Sequence, residues 1–222
     1  MRTLQVALAE RNSELGGRVS QEAALPGLSE WARVRDWRVG QIAKMENVSV
    51  FLESEVDGEQ VREFEADHVA LATGSLWRRD GIGRWHAEEI PGWRDAPILT
   101  PDDIMGGVPA KGPVLVFDDD FYYMGGALAE KLALAGLEVT LVTPASLVSP
   151  FTRNTEEQPR IQKRLLELGI AIEANWAVEG FSGGRVQLGC VFTGRERQAE
   201  FESVVMVTSR APEDALYAGL VE

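Results

Sequence analysis

The pattern of apolar and polar residues along the chain predicts an α/β fold built on parallel strands. Six short runs are almost continuously apolar, which is typical of strands that are covered on both faces of a sheet. These runs span residues 4–9, 67–75, 114–117, 139–142, 170–174 and 203–208. Segments that favour helices separate several of the runs, so we expect Rossmann-like parallel sheets.

The stretch from residue 114 to residue 144 organises the chain. Its first apolar run is followed by an Ala- and Leu-rich segment at residues 127–135, which favours a helix, and Gly136 is placed to end that helix. The next strand follows directly. The stretch therefore predicts a strand–turn–helix–strand unit with the spacing of a dinucleotide-binding fold.

The turn inside this unit lacks the glycines that allow backbone amides to approach a diphosphate. It begins with Asp118, Asp119 and Asp120, and glycines follow only at the start of the helix. One carboxylate–phosphate pair about 5 Å apart costs roughly 3 kcal/mol at an effective dielectric constant of about 20. The sequence thus predicts a nucleotide-type scaffold whose phosphate site is disabled.

The first apolar run ends in Glu10. An acid at the carboxyl end of a strand suits the two hydroxyls of an adenosine ribose. Taken alone, Glu10 is more simply a polar strand end. We expect the strand, glycine-rich turn and helix that would precede it in a nucleotide fold to lie outside the chain.

Local signals predict further elements. An amphipathic helix is expected at residues 28–45, with Ser29 as its N-cap. Its Trp31 and Trp37 are expected to pack in the core, with stacking on an adenine as the alternative. The other expectations are a strand at 47–53, an acidic hairpin near 57–58, a loop at 77–93 with an exposed His86, a helix that starts after Thr100, a linker at 109–113, a helix at 156–168, an antiparallel hairpin set at 176–201 with Cys190 buried in it, and a turn at 209–212.

Composition narrows the range of partners and cofactors. Lys and Arg number 22 against 35 Asp and Glu, and the net charge of −13 argues against binding to nucleic acid or an anionic membrane. The single cysteine excludes an internal disulfide and an iron–sulfur cluster held by this chain alone. Neither of the two histidines has a partner at metal-ligand spacing. Because no internal disulfide is possible, a cytoplasmic location is expected. No apolar run approaches the length of a membrane span.

Five motifs in order give the sequence a family resemblance. They are Ala-Glu-Arg-Asn-x-x-Leu-Gly-Gly-Arg at residues 9–18, Ala-Leu-Pro-Gly-Leu-x-x-Trp at 24–31, Ala-Thr-Gly-Ser at 72–75, Leu-Thr-Pro-Asp-Asp at 99–103, and Asp-Asp-Asp-x-Tyr-Tyr-Met-Gly-Gly at 118–126. Together they resemble the C-terminal region of the trimethylamine, dimethylamine and histamine dehydrogenases, which are iron–sulfur flavoproteins related to old yellow enzyme and 2,4-dienoyl-CoA reductase. The resemblance covers nearly the whole chain.

The resemblance implies a glutathione-reductase-like pair of domains. These would be a truncated FAD/ADP-type domain at residues 1–109 and 209–222 and an NAD(P)-like domain with a degenerate phosphate turn at 110–208. It also implies an N-terminal TIM barrel that holds FMN and a 4Fe–4S cluster and oxidises a small amine. An electron-transfer-flavoprotein-type acceptor and a homodimeric full-length protein follow from the same resemblance. The fragment alone is expected to be inactive and to bind ADP or FAD weakly or not at all.

The same resemblance assigns nucleotide-binding residues but no catalytic residue or metal ligand. Glu10 matches the acid that binds the ribose. The others are Arg11, Gly17 and Arg18 in the adjacent loop, Val56 beside the adenine, and Thr73 and Gly74 at a strand end. Two alternatives remain open: a structural module that docks on a barrel without binding a nucleotide, and an NAD(P)H:flavin oxidoreductase domain, which would need a working phosphate turn.

Overall fold

A computed structural model describes residues 4–221 and divides the chain into two units. Unit 1 contains the chain up to Ser75 and from Pro212 onward, and unit 2 contains Leu76–Ala211. The strands are β1 Val6–Ala9, β2 Val48–Phe51, β3 Ser75–Trp77, β4 Ile98–Leu99, β5 Val114–Asp118, β6 Val139–Thr143, β7 Ala171–Ala174, β8 Trp176–Ser182, β9 Arg185–Cys190, β10 Glu196–Ala199, β11 Ser203–Val207 and β12 Arg210–Pro212.

The helices lie between these strands, except for α7, which follows β12. They are α1 Arg18–Glu22, α2 Ala32–Ile42, α3 Gly58–Glu63, α4 Pro101–Met105, α5 Met124–Leu134, α6 Gln158–Glu167 and α7 Ala215–Val221. Three 3₁₀ helices, Ser29–Trp31, Trp93–Asp95 and Pro150–Thr155, complete the described elements. Helix α4 begins as its sequence predicts, because Thr100 accepts a hydrogen bond from the Asp103 amide while the Asp103 carboxylate accepts one from the Thr100 amide.

Unit 2 is organised around a five-stranded parallel sheet with the order β4–β11–β5–β6–β7. Every residue of β5 and β11 is buried, which confirms the two predicted buried strands. The antiparallel sheet β10–β9–β8 packs on the parallel sheet through a shared apolar cluster that includes Phe117, Met206 and Leu188. Both kinds of sheet predicted from the sequence are therefore present.

The order of the strands reverses direction at β5. From β5 the chain proceeds outward through β6 to β7, whereas β11 and β4 lie on the other side of β5. The carboxyl ends of β5 and β11 consequently form a topological switch point, which is where open α/β sheets bind ligands. Asp118 ends β5 at this point.

Unit 1 has a small parallel sheet in which Val6 of β1 lies opposite Val48 of β2. Within its described part, Glu22 and Leu25 are the buried residues. Trp37 is 65% exposed and Trp31 is also exposed, so the prediction that these tryptophans pack in a core is wrong for this chain. Helix α2 covers less of the chain than predicted, and Ser29 does not cap it, because Trp31 occupies the N-cap position.

Several other local predictions are corrected. Residues 67–74 carry no strand and are exposed, because no ladder of backbone hydrogen bonds forms along them; the Glu213 amide donates to the Gly74 carbonyl at the end of the stretch. The predicted hairpin near residues 57–58 is the start of α3, where Asp57 and Gln60 form a capping box. The predicted turn at 209–212 contains β12, which pairs with β3.

The position of the division between units also differs from the expected linker. β4 and α4 lie before residue 109, yet β4 pairs with β11 and extends the parallel sheet of unit 2. The chain therefore passes from unit 1 to unit 2 after Ser75 rather than between residues 109 and 110.

Candidate functional site

Glu10 lies at the carboxyl end of β1, and backbone hydrogen bonds fix its position. Its amide donates to the Phe51 carbonyl, and its own carbonyl accepts from the Ser54 amide. One carboxylate oxygen, Oε1, accepts from the Asn12 amide at 2.9 Å and from Asn12 Nδ2 at 2.7 Å. Among residues 4–221 the other oxygen, Oε2, receives no hydrogen bond, which leaves it able to accept one from a ligand hydroxyl.

Glu213 brings three of the predicted site residues together within unit 1. Its Oε1 accepts from Arg11 Nη1 at 3.3 Å, and its carbonyl accepts from the Thr73 hydroxyl at 2.5 Å. Its amide donates to the Gly74 carbonyl at 3.0 Å. No local signal in the sequence points to Glu213, because its partners Arg11 and Thr73 lie far away along the chain.

The remaining predicted residues are placed separately. Gly17 has a φ of 49° directly before α1, and the Arg18 guanidinium donates to the Ser75 carbonyl. Val56 is partly exposed after β2. No hydrogen bond among residues 4–221 joins Glu10 or Val56 to the group around Glu213.

The aspartate turn of unit 2 faces inward. Asp118 and Asp119 are fully buried, so their carboxyl groups do not line an open crevice in the way that the expected repulsion of a diphosphate requires. Asp118 Oδ1 accepts from the Phe121 amide at 3.2 Å. Burial, together with the nearby carboxyl groups of Asp120 and Asp119, raises the pKa of Asp118 to about 7.

A loop at residues 81–86, here called the covering loop, lies over Asp119. Asp119 Oδ2 accepts from the backbone amides of Arg84 at 2.5 Å and Trp85 at 2.9 Å. Burial raises the pKa of Asp119, and these two amides oppose that rise. A Cβ atom built on Gly83 would lie 2.3 Å from Asp119 Oδ2, so the close approach of the loop requires glycine at this position.

His86 closes the other end of the covering loop. Its Nε2 lies 2.7 Å from the Val178 carbonyl, and its side chain is 17% exposed. The prediction of an exposed His86 is therefore wrong. The reason is that β8 runs beside the loop and supplies a carbonyl, a long-range contact with no local signal in the sequence.

The Arg84 side chain lies over the mouth of the aspartate turn. Its guanidinium carbon is 4.9 Å from the centre of the Phe151 ring and 5.8 Å from that of Phe121, and its Nε donates to the Asp120 carbonyl. Asp120 is partly buried, and burial raises its pKa against the opposing charges of Arg210 and Arg84. The switch point is thus covered by side chains and a loop of unit 2 itself.

The described part of the chain contains neither clustered metal ligands nor a membrane-spanning helix. Residues 4–221 contain no group of three or more His, Cys, Asp or Glu side chains arranged to hold a metal ion. Cys190 is half-buried rather than buried as predicted, and a hydrogen bond with Thr193 lowers its pKa. None of the described helices is both long enough and apolar enough to span a bilayer.

Comparisons with known proteins identify relatives along the whole chain. The chain is 31% identical over 242 residues to dimethylamine dehydrogenase from Hyphomicrobium sp. (strain x), an alignment that covers 97% of the chain and 33% of that relative. Among solved structures, histamine dehydrogenase from Rhizobium sp. 4-9 superposes with a TM-score of 0.94 at 45% identity, covering 98% of this chain and 34% of that one. The 6-hydroxypseudooxynicotine amine oxidase from Pseudomonas geniculata N1 also gives 0.94, at 44% identity, with 98% and 33% covered.

These relatives confirm the resemblance that the five motifs indicated. The chain spans about a third of the length of each relative. The family model described as the OYE-like second alpha/beta domain matches residues 99–211, which include strands β5, β6, β7 and β11 of the five-stranded sheet, the aspartate turn and the antiparallel hairpins. The chain therefore belongs to the family of OYE-like second alpha/beta domains.

Proposed function

We propose that this chain is the nucleotide-domain part of an FMN- and iron–sulfur-containing oxidoreductase that oxidises small, methylated or primary amines. The observation that carries the proposal is the 45% identity to histamine dehydrogenase over 98% of the chain. The likeness to dimethylamine dehydrogenase supports the same class of substrate. In this proposal the parent enzyme removes an N-methyl group or an amino group, and the present chain contributes no catalytic residue.

The cofactors of the parent divide between this chain and the rest of the protein. A four-iron cluster takes four cysteine ligands, whereas the sequence has only Cys190, so the residues present do not fit a cluster. We assign the cluster and FMN to the N-terminal TIM barrel that the resemblance implies. An electron-transfer-flavoprotein-type acceptor and a homodimeric full-length enzyme belong to the same proposal.

Unit 1 is proposed as the FAD/ADP-type domain and the sheet of unit 2 as the NAD(P)-like domain. The residues proposed to hold ADP or the ADP half of FAD are Glu10, Arg11, Gly17, Arg18, Val56, Thr73 and Gly74. The available Oε2 of Glu10 supports this assignment, because a carboxylate at the carboxyl end of a parallel strand can accept hydrogen bonds from ribose hydroxyls. Arg11, directly after Glu10, and Arg18, at the start of α1, supply positive charge.

The test is a calorimetric titration of the chain with ADP and FAD. Replacing Glu10 by Gln should weaken ADP binding by roughly 10- to 100-fold, since a hydrogen bond to a charged group contributes about 1.5–3 kcal/mol. Glu46→Gln is the matched control, because it removes the same charge in the exposed turn that precedes β2. Equal ADP affinity for the wild-type chain and the Glu10 variant would contradict the proposed ribose contact.

A second candidate function is a structural module that docks on the barrel without a nucleotide. It is favoured by large apolar side chains of unit 1 that are exposed in this chain, such as Phe64 at 64%. The same titration distinguishes a nucleotide-binding domain from a docking module, because a docking module binds neither ADP nor FAD. A third candidate, an NAD(P)H:flavin oxidoreductase domain, needs an open phosphate turn, and the buried Asp118 and Asp119 weigh against it.

A further inference from the structure

In the described part of unit 2, four arginine side chains lie over aromatic rings: Arg84, Arg94, Arg197 and Arg210. Two of these, Arg94 and Arg197, are ion-paired with glutamates. Neither Arg84 nor Arg210 forms an ion pair with any of residues 4–221, although Asp and Glu outnumber Lys and Arg by 35 to 22 in the chain. The charge of these two arginines is therefore available to a ligand.

The Arg84 side chain is held in place on all but one edge. Its guanidinium carbon lies 4.9 Å from the centre of the Phe151 ring and 5.8 Å from that of Phe121, and its Nε donates to the Asp120 carbonyl at 3.2 Å. Its backbone amide donates to Asp119 Oδ2. Within residues 4–221 the terminal nitrogens Nη1 and Nη2 donate to no atom. The outer edge of a pre-oriented guanidinium is thus free.

Strained backbone holds the two rings that carry this guanidinium. Phe121 has a φ of 67°, and Ser149, with a φ of 49°, directly precedes the 3₁₀ helix Pro150–Thr155 that contains Phe151. The left-handed region is unfavourable for residues other than glycine. The Phe151 amide donates to the Phe121 carbonyl at 3.0 Å, and the rings meet edge to face with centres 6.0 Å apart. Strain of this kind is common where a chain maintains a binding geometry.

Arg210 brings a second positive charge to the same place. Its guanidinium carbon lies 5.2 Å from the centre of the buried Trp77 ring. Burial raises the pKa of Asp120, and the charges of Arg210 and Arg84 oppose that rise, so both guanidinium groups act on this carboxyl group. The neighbouring Asp119 carboxyl group is already bound by two backbone amides. Two arginines therefore face one carboxyl group, which leaves positive charge for an added anion.

We propose that Arg84 and Arg210 form a carboxylate-binding site beside Asp120 on the surface of unit 2. The free edge of Arg84 presents parallel N–H donors that match the two oxygens of a planar carboxylate, and Arg210 contributes through its charge. The excess of one positive charge suits a singly charged anion. A free small acid and an acidic side chain of a partner protein share this chemistry. The proposal concerns unit 2 alone and does not depend on the oxidoreductase assignment.

The test is a titration of the ¹⁵N-labelled chain with sodium acetate, followed by nuclear magnetic resonance, with sodium chloride at matched ionic strength as the reference. The Arg84 Nε–H group, which donates to the Asp120 carbonyl, should shift and saturate, with half-saturation at roughly 10 mM acetate. Chloride should give no saturating shift. The backbone amides of Arg84 and Trp85 follow binding in the variants.

Three variants separate this site from a general charge effect. Arg84→Lys keeps the charge but loses the paired donors, so it should weaken acetate binding by roughly tenfold. Arg94→Lys is the matched control, because Arg94 also lies over a ring, that of Trp93, but its Nη2 is already bound to Glu89, so acetate affinity should not change. Asp120→Asn removes the opposing charge and should strengthen binding by roughly three- to tenfold.

A capped Leu-Glu-Leu peptide distinguishes the two sources of the carboxylate. If a partner protein supplies it, the peptide should bind roughly tenfold more tightly than acetate, because the exposed Phe151 ring offers apolar contact. Equal affinities would identify a free acid as the ligand. The absence of a saturating shift with either probe would overturn the proposal. Equal losses of affinity in the Arg84→Lys and Arg94→Lys chains, or weaker binding to the Asp120→Asn chain, would also overturn it.

Discussion

At the scale of single residues, Asp118 should govern how stability changes with pH. Its pKa is about 7 in the folded chain, raised chiefly by burial, against 3.8 for an ordinary aspartate. The folded chain therefore holds this proton more tightly than the unfolded chain does. The free energy of unfolding should fall as pH rises from about 4 to about 7, by up to about 4 kcal/mol from this group.

Replacing Asp118 by Asn should remove most of that fall. The variant and the wild-type chain should have similar urea midpoints at low pH, and the variant should be the more stable at pH 8 because it carries no ionisable group there. Asp67→Asn makes the same chemical change in an exposed segment and serves as the control. A wild-type midpoint that stays level or rises between pH 5 and pH 8 would contradict the prediction, since Asp119 and Asp120 also have raised pKa values and act in the same direction.

At the scale of elements, the covering loop should depend on Asp119. The carboxyl group accepts hydrogen bonds from the Arg84 and Trp85 amides, and a carboxylate–amide bond contributes about 1.5–3 kcal/mol. In the Asp119→Ala variant these two amides should exchange with solvent deuterium roughly 10- to 100-fold faster. Asp120→Ala retains the backbone carbonyl that accepts from Arg84 Nε, so it should leave the exchange of both amides unchanged. Equal exchange in the two variants would show that the loop is held by its other contacts.

The elements also show which parts of the structure the sequence could predict. β5, β11, α4 and α5 were predictable because their signals are local: continuous apolar runs, a capping box, and an Ala- and Leu-rich helix. The contacts of His86 and Glu213 were not predictable, because each depends on a partner far away in the chain. Residues 67–74 have a strand-like composition, yet a strand forms only where a neighbour completes its hydrogen bonds.

The distinction between local signals and long-range contacts applies to the candidate sites as well. The sequence predicts that the three aspartates are incompatible with a phosphate turn, but it does not indicate the burial of Asp118 and Asp119, because a run of charged residues is normally solvated. Only the structure shows that the covering loop supplies amides to Asp119 and that Gly125 makes room for Asp118.

At the scale of the whole molecule, the buried apolar side chains are concentrated in unit 2. Among the described residues, Leu25 is the buried apolar side chain of unit 1, whereas both sheets of unit 2 share one apolar cluster. Because apolar burial is the main source of folding free energy, unit 2 should hold most of the stability. A chain limited to residues 76–211 should therefore fold by itself, unfold cooperatively on heating, and keep the near-ultraviolet circular dichroism of a packed core.

The complementary fragment, residues 1–75, provides a second test of where the stability lies. Residues 1–75 alone should show little cooperative unfolding, since β1 and β2 form a two-stranded sheet whose side chains are largely exposed. In the full chain, hydrogen exchange should be fast in β1 and β2 and slowest in β5 and β11, which are buried along their whole length. Cooperative unfolding of residues 1–75, combined with an unfolded chain of residues 76–211, would contradict the assignment of most of the stability to unit 2. It would mean that the long-range sheet of unit 2 depends on unit 1 for its stability.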